Sequence, residues 1–294
     1  QLVTSFLRND ARPGLATAAV LTGGIFNVFG DWFCVFVLDL GVFGAGLATA
    51  TGAVISLAVM CSHFFSRKCT LHLVPVQKLF KKLGEIAVTG FSSFFVDVAM
   101  GILTVLFNRQ IMKYLDSDAL AVYATVINIS TFVQCCAYSV GQAAQPILST
   151  NYGANNAARI RQALHLALGT SMVFAAFWTG LSELFPQLYI HIFMRPSAEI
   201  LAIAPAIIRR YSVSFVLLPV NIFSTYYFQS ILHPKDSFIV SIARGLLVSG
   251  LLIFALPALF APEAIWWAMP LTELVTSVYA AYAMRKSLTG LCAN

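Results

Sequence analysis

Residues 14–37 read GLATAAVLTGGIFNVFGDWFCVFV, a run in which Asp31 is the only charged side chain. An α-helix needs about 20 predominantly apolar residues to cross a hydrocarbon core about 30 Å thick. Because lipid offers the backbone no hydrogen-bond partner, a crossing segment must be a helix or part of a closed barrel. The run lacks the apolar–polar alternation of a barrel strand, so it predicts a transmembrane helix.

Similar apolar runs recur along the whole chain. Hydrophobic residues make up 59% of it and charged residues 10%, with a mean hydropathy of +0.81, whereas soluble domains have about 45–50% apolar and about 25% charged residues. We therefore predict an all-α integral membrane protein with eight transmembrane helices. The runs are 14–37, 43–65, 86–112, 119–146, 163–183, 200–230, 237–260 and 264–284.

The basic residues predict the orientation of these helices, because cytoplasmic loops carry an excess of Lys and Arg. Alternate loops, which would lie on the opposite side of the membrane from the basic loops, hold only two basic residues, Lys113 and Arg195. Both termini are therefore predicted to be cytoplasmic. Short basic clusters between apolar runs, rather than one basic face, also argue against nucleic-acid binding despite the net charge of +6. The loops assigned to the cytoplasm hold Arg8, Arg12, Arg67, Lys68, Lys78, Lys81, Lys82, Arg159, Arg161, Lys235, Arg285 and Lys286.

The six cysteines form no CxxC pair, so their spacing indicates neither a disulfide framework nor a zinc site. The sequence contains no HExxH, GxSxG or P-loop motif. We therefore expect no enzymatic activity and no cofactor. Transport, if present, would draw its energy from an ion gradient.

Three acidic residues fall inside the predicted spans, namely Asp31, Asp97 and Glu273. A charge at mid-bilayer costs about 2.5–3.5 kcal/mol on insertion scales, so such residues usually face a cavity or a partner. Asp97 lies near the middle of its span and is a candidate proton carrier or sodium ligand; a structural hydrogen bond is the other interpretation. Arg244 lies close enough to the cytoplasmic end of its span that we expect it to snorkel to the interface.

Asn27 and Asp31 are four residues apart and share one helix face. Thr49, on the next predicted helix, lies about as far after the intervening turn as Asp31 lies before it. The three residues could line one oxygen-rich cation site; alternatively, Asp31 contacts water at the outer end of its helix. Every fourth residue from Gly44 to Ser56 is small, a spacing that favours close helix packing.

Several segments together resemble the multidrug and toxic compound extrusion (MATE) transporters. The resemblance extends over essentially the whole chain. It is carried by FLRNDARP (6–13), FNVFGD (26–31), LGVFGAGLAT (40–49), GQAAQPI (141–147), NYGA (151–154), YFQ (227–229) and IWWAMPLTE (265–273).

The resemblance implies two six-helix bundles, of which this sequence would contain the last two helices of the first and all of the second. The implied domains are an amino-terminal remnant at 1–65, a basic cytoplasmic linker at 66–85 and a six-helix lobe at 86–294. In the family, residues matching Asn27, Asp31 and Thr49 bind a cation together with an acidic residue on the first helix, which this sequence lacks. A second acidic position of the family falls at or near Asp97.

The expected function is that of a secondary antiporter in a cell membrane, most simply a bacterial inner membrane. As a monomer it would export cationic or amphipathic small molecules in exchange for Na⁺ or H⁺. Two alternatives stay open. A lipid-linked saccharide flippase of the same superfamily should show a more cationic cavity, and an inactive truncated transporter would show no transport.

Overall fold

The computed structural model describes the backbone of residues 2–66, 69–71 and 78–293. The chain divides into two compact units, Gln1–Gln77 and Lys78–Asn294, and each is described by itself. All regular structure in these described ranges is helical, so the predicted all-α class is confirmed. The predicted linker, 66–85, lies partly outside the described residues.

The first unit is a helical hairpin preceded by a short helix. Its helices are α1 (Leu2–Asn9), α2 (Pro13–Trp32) and α3 (Gly41–Cys61). A π-helical turn, Phe33–Val37, extends α2, and a 3₁₀ turn, Ser62–Phe65, extends α3. Pro13 occupies the start of α2, where its fixed φ suits a helix and its missing N–H removes no bond.

Small residues bring α2 and α3 into close contact. A Cβ placed on Gly52 would lie 2.6 Å from the carbonyl oxygen of Gly23, and one on Gly30 would lie 2.9 Å from Cβ of Ala48. Gly44 packs in the same way against the backbone of Cys34. The predicted packing role of the small-residue stripe is confirmed, because larger side chains here would force the two helices apart.

The second unit contains nine α-helices within the described residues 78–293. Several are joined without a loop by 3₁₀ or π-helical turns, so a continuous helical segment long enough to cross a membrane can contain more than one of these helices. We call such a continuous segment a rod. The helices are α4 (Leu79–Tyr114), α5 (Ser117–Gly153), α6 (Ala157–Leu184), α7 (Pro186–Phe193), α8 (Ala198–Ser212), α9 (Leu218–Ser230), α10 (Pro234–Ile242), α11 (Val248–Leu259) and α12 (Ala268–Ala293).

Six rods in the described part of the chain are long and apolar enough to cross a membrane. They match six of the eight predicted spans. The two other predicted spans are also helical: 86–112 lies within α4, and 264–284 begins in the 3₁₀ turn Pro262–Trp267 and continues in α12. Their insertion in a membrane stays a prediction. The six rods are Pro13–Val37, Gly41–Phe65, Ser117–Gly153, Ala157–Leu184, Ala198–Ser230 and Pro234–Leu259.

Gly141 fixes the approach of α5 to α9. A Cβ at this position would lie 2.4 Å from Cδ2 of Tyr226, closer than any real contact. We expect Gly141→Ala to lower the free energy of unfolding by about 1–3 kcal/mol, the usual cost of overpacking. Gly169→Ala is the matched control: it lies within α6 and has nothing within 4 Å of the added atom. Thermal unfolding in detergent would contradict the contact if the two variants were equally stable.

Candidate functional site

The helical hairpin of the first unit brings two of the predicted site residues together. The side-chain amide of Asn27 on α2 donates to Oγ1 of Thr49 on α3 at 3.1 Å. The Thr49 hydroxyl in turn donates to the Ala45 carbonyl at 3.0 Å. Both bonds fix the orientation of the Thr49 side chain, and the bond from Asn27 joins the two helices in the middle of the small-residue contact.

Asp31 lies one helical turn beyond Asn27 on the same helix. Its Oδ1 atom is buried and has no hydrogen-bond partner among the described residues. Because Gly30 packs directly on Ala48, the residues that follow them, Asp31 and Thr49, lie at similar depth in the hairpin. A carboxylate oxygen withdrawn from water is costly unless it gains a proton, a cation or a donor.

Oxygen atoms of this kind suit a hard cation. A carboxylate, a hydroxyl and an amide carbonyl are the groups from which proteins build sites for hard cations. A carboxylate can take up either Na⁺ or a proton, so the proposed coupling ion can be either of the two. Asp97, the fourth predicted site residue, belongs to α4 by its backbone, but its side chain lies outside the described residues.

The second unit holds a buried ion pair that we did not predict as a site. Nε of Arg244 donates to Oε1 of Glu273 at 2.7 Å, and the two side chains are only 7% and 0% exposed. The prediction that Arg244 snorkels to the interface is therefore wrong. The carboxylate of Glu273 holds it inside the bundle, where the attraction between the charges is screened less than at a surface.

Asn221 adds a third polar side chain to this ion pair. Its side-chain amide donates to Oε2 of Glu273 at 2.6 Å and to the Glu273 backbone carbonyl at 2.8 Å. The cluster therefore connects α9, α12 and the π-helical turn Ala243–Leu247 that carries Arg244. Nη2 of Arg244 and Oδ1 of Asn221 are buried without a partner among the described residues.

A signal for this cluster was present in the sequence, since opposite charges within apolar spans are expected to pair. Both Arg244 and Glu273 were visible as such charges. Their pairing was not predicted because nothing in a single sequence shows which faces of two distant helices meet. Asn221 carried no signal, since polar amides occur in membrane helices for many reasons.

Comparison with known proteins agrees with this architecture. The family model MatE matches residues 92–254. The multidrug export protein MepA of Staphylococcus saprophyticus is 22% identical over 293 residues, covering 98% of this chain and 64% of that protein. MepA of Staphylococcus aureus strain N315 is also 22% identical and is covered to 64% of its length. The chain thus spans slightly less than two thirds of these relatives.

Two solved structures share the fold. An outward-facing multidrug resistance MATE family transporter of the MOP superfamily superposes with a TM-score of 0.91 at 20% identity, covering 99% of this chain and 66% of that one. A MOP superfamily transporter from Pyrococcus furiosus superposes with a TM-score of 0.88 at 19% identity, covering 98% and 66%. Since the MatE model matches more than half of its residues, this membrane chain belongs to the MATE family of multidrug efflux transporters.

Proposed function

We propose that the chain acts in secondary active efflux, exporting cationic or amphipathic small molecules in exchange for Na⁺ or H⁺. The observation that carries this proposal is the unpartnered, buried Oδ1 of Asp31. It is supported by Asn27, one helical turn away on α2, whose amide donates to Thr49 on α3. The relatives named multidrug export proteins support the direction and the broad class of cargo.

Coupling requires that the cation bind one conformation of the transporter better than the other, because a ligand shifts an equilibrium only by its difference in affinity. An unsatisfied carboxylate oxygen meets this requirement. Binding a proton or Na⁺ removes the cost of burying it, whereas a conformation that exposes Asp31 to water gains nothing comparable. The polar atoms of Asn27 and Thr49 at the same site would favour an ion that accepts several oxygen ligands.

The proposed setting is a cell membrane, most simply a bacterial inner membrane, crossed eight times by a monomer with both termini in the cytoplasm. α4 and α12 would supply the two spans beyond the six apolar rods. α4 begins at Leu79, next to Lys78. The predicted span in α12 ends at residue 284, directly before Arg285 and Lys286, which fits the excess of positive charge in cytoplasmic loops.

The arginines inside the spans have partners, and this favours drug efflux over the flippase alternative. A flippase would need free positive charge to bind a phosphorylated lipid. Arg244 is neutralised by Glu273. Arg210 pairs with Glu263, and Nε of Arg209 donates to the Glu183 carbonyl at 3.0 Å. These contacts leave the arginines less able to recognise an anionic headgroup.

The experiment is transport by the intact chain in proteoliposomes, with a fluorescent lipophilic cation inside and an inward gradient of either Na⁺ or H⁺. We expect one of the two gradients to drive loss of the fluorophore, and the matching ionophore to abolish it. Equal leakage with and without gradients would contradict the antiporter and favour the inactive alternative.

Asp97 remains part of the proposal, as a second carboxylate that senses the coupling ion. We expect Asp97→Asn to abolish gradient-driven export while leaving the protein folded, since the substitution keeps size and hydrogen bonding but removes the titratable charge. Asp118→Asn, in the first turn of α5, is the control and should export normally. If Asp97→Asn exported as well as the wild type, Asp97 would have a structural role only.

A further inference from the structure

A second group of polar side chains lies at the other end of the first unit, away from Asn27 and Asp31 along the hairpin. It is formed by Asp10, His63 and Cys69, whose potential ligand atoms all lie within 4.8 Å of one another. Asp10 belongs to the turn between α1 and α2, His63 to the 3₁₀ turn that ends α3, and Cys69 to the irregular segment beyond it. Three separate segments therefore converge on one point.

The contacts within this group are short and largely withdrawn from solvent. Nε2 of His63 lies 2.6 Å from Oδ2 of Asp10, and the two side chains are 2% and 3% exposed. The backbone amide of Thr70 donates to the same carboxylate at 3.2 Å, and the Thr70 hydroxyl donates to its Oδ1 atom. Hydrogen bonds from His63 and Thr70 lower the pKa of Asp10 to about 2, so it is ionised at neutral pH.

The packing around the group is well defined. Leu7, Ala16, Ala19 and Met60 form a buried apolar cluster where α1 meets the hairpin. The Thr4 hydroxyl donates to Sδ of Met60 within it at 3.4 Å. Because these contacts fix the ends of α1, α2 and α3, the carboxylate and the imidazole are already positioned when a ligand arrives, which lowers the entropy lost on binding.

We propose that Asp10, His63 and Cys69 form a site for Zn²⁺. A thiolate, an imidazole nitrogen and a carboxylate oxygen are the three ligand types that this ion takes from proteins. Three protein ligands leave a fourth tetrahedral position for water. Thr70 supplies the outer contact that orients the ligating carboxylate, an arrangement commonly found around protein-bound metals.

The ion would require only a small adjustment. With bonds of about 2.0 Å to nitrogen and oxygen at a tetrahedral angle, the two ligand atoms would lie about 3.3 Å apart. Nε2 of His63 and Oδ2 of Asp10 must therefore move apart by less than 1 Å, roughly the difference between this separation and their present hydrogen-bond distance. Cysteine spacing did not reveal this site because its ligands come from segments separated by about 50 residues of chain, as the 53-residue interval between Asp10 and His63 shows.

Zinc would act on the hairpin as a cross-link. It would tie the segment before α2 to the segment after α3, on the side that the basic loops place in the cytoplasm. The expected consequence is that metal stabilises the hairpin against opening at this end, because a ligand that binds only the folded arrangement stabilises it by mass action. The inference concerns the first unit alone and does not depend on the exported compound or on the coupling ion.

The test is metal binding by the intact, metal-stripped protein in detergent, with Zn²⁺ measured by competition against a chromophoric chelator and Co²⁺ by its absorption. We expect one equivalent of either metal to bind. The Co²⁺ spectrum should contain a thiolate charge-transfer band that disappears in Cys69→Ser. Cys34→Ser, which alters a thiol elsewhere in the same hairpin, should retain the band.

A second variant, which leaves all three proposed ligands in place, distinguishes a metal site from a hydrogen-bonded group without metal. Thr70→Val should keep the charge-transfer band but weaken Zn²⁺ binding by about 10–100-fold, the usual effect of losing an outer contact. The proposal is overturned if the wild-type protein binds neither metal, or if the Co²⁺ band survives in Cys69→Ser. Neither result would bear on the transport experiments, since this assay measures no transport.

Discussion

Replacing Arg244 with alanine is expected to lower the free energy of unfolding by about 3–5 kcal/mol, the usual cost of removing one partner from a buried ion pair. The carboxylate of Glu273 would stay in the bundle interior, where its side chain is 0% exposed, without the guanidinium that neutralises it. Asn221 would still donate to Oε2, but one neutral amide does not replace a full counter-charge.

Two controls make this prediction specific. Arg210→Ala breaks a pair whose acidic partner, Glu263, is 64% exposed, and exposed pairs contribute only about 0–1 kcal/mol. A double variant, Arg244→Met with Glu273→Met, removes both charges together. It should recover most of the lost stability, because well-packed apolar groups often replace a buried pair without loss.

Unfolding in detergent, followed by thermal or SDS titration, gives the comparison directly. If Arg244→Ala and Arg210→Ala lost the same stability, the pair would contribute no more than a surface contact. The buried connection between α9, α12 and the Arg244 turn would then need another explanation.

Asp31→Asn is expected to reduce gradient-driven export to the level of protein-free liposomes while leaving the fold intact. Asparagine has nearly the same size and can hydrogen-bond, but it takes up no proton and offers Na⁺ no negative charge. Within the hairpin the change replaces a carboxylate, one of whose oxygens is buried without a partner, by a neutral amide, so we expect the folded protein to be at least as stable as the wild type.

Asp39→Asn provides the matched control for this variant. Asp39 lies in the turn between α2 and α3 with a φ of 51°, a left-handed conformation that asparagine tolerates as well as aspartate does. It should export normally. Wild-type export by Asp31→Asn would show that the coupling ion binds elsewhere.

Thr49 gives an independent check of the same site. Thr49→Val keeps the shape of the side chain but removes the oxygen that accepts from Asn27, so export coupled to the ion should weaken. Thr49→Ser keeps that oxygen and should restore it.

The helices could be predicted from the sequence because lipid imposes a length and a composition on each crossing. This constraint is local, so the run 14–37 indicated its own helix, and six of the eight predicted runs are confirmed as rods long and apolar enough to span. The close contact of α2 and α3 could also be predicted, since a spacing of four residues places Gly44, Ala48, Gly52 and Ser56 on one face of α3.

The candidate sites were predictable only where the residues lie close in sequence or on neighbouring helices. The contact between Asn27 and Thr49 joins the two arms of one hairpin, and a short turn fixes which residues lie opposite each other. Glu273 and Arg244 lie on separate helices whose rotation depends on packing throughout the bundle, so their pairing was missed. The approach of His63 to Asp10 was missed because both residues lie in turns beyond the ends of α2 and α3, where helical spacing predicts no neighbours.

The most direct measurement is infrared difference spectroscopy of the purified protein in the carboxyl region, recorded on adding Na⁺ and on lowering the pH. If Asp31 binds the coupling ion with Asn27 and Thr49, the wild type and Asp39→Asn should show a carboxylate signal that changes with one of these ions. That signal should be absent from Asp31→Asn. The same difference spectrum in Asp31→Asn as in the wild type would contradict a cation site at Asp31.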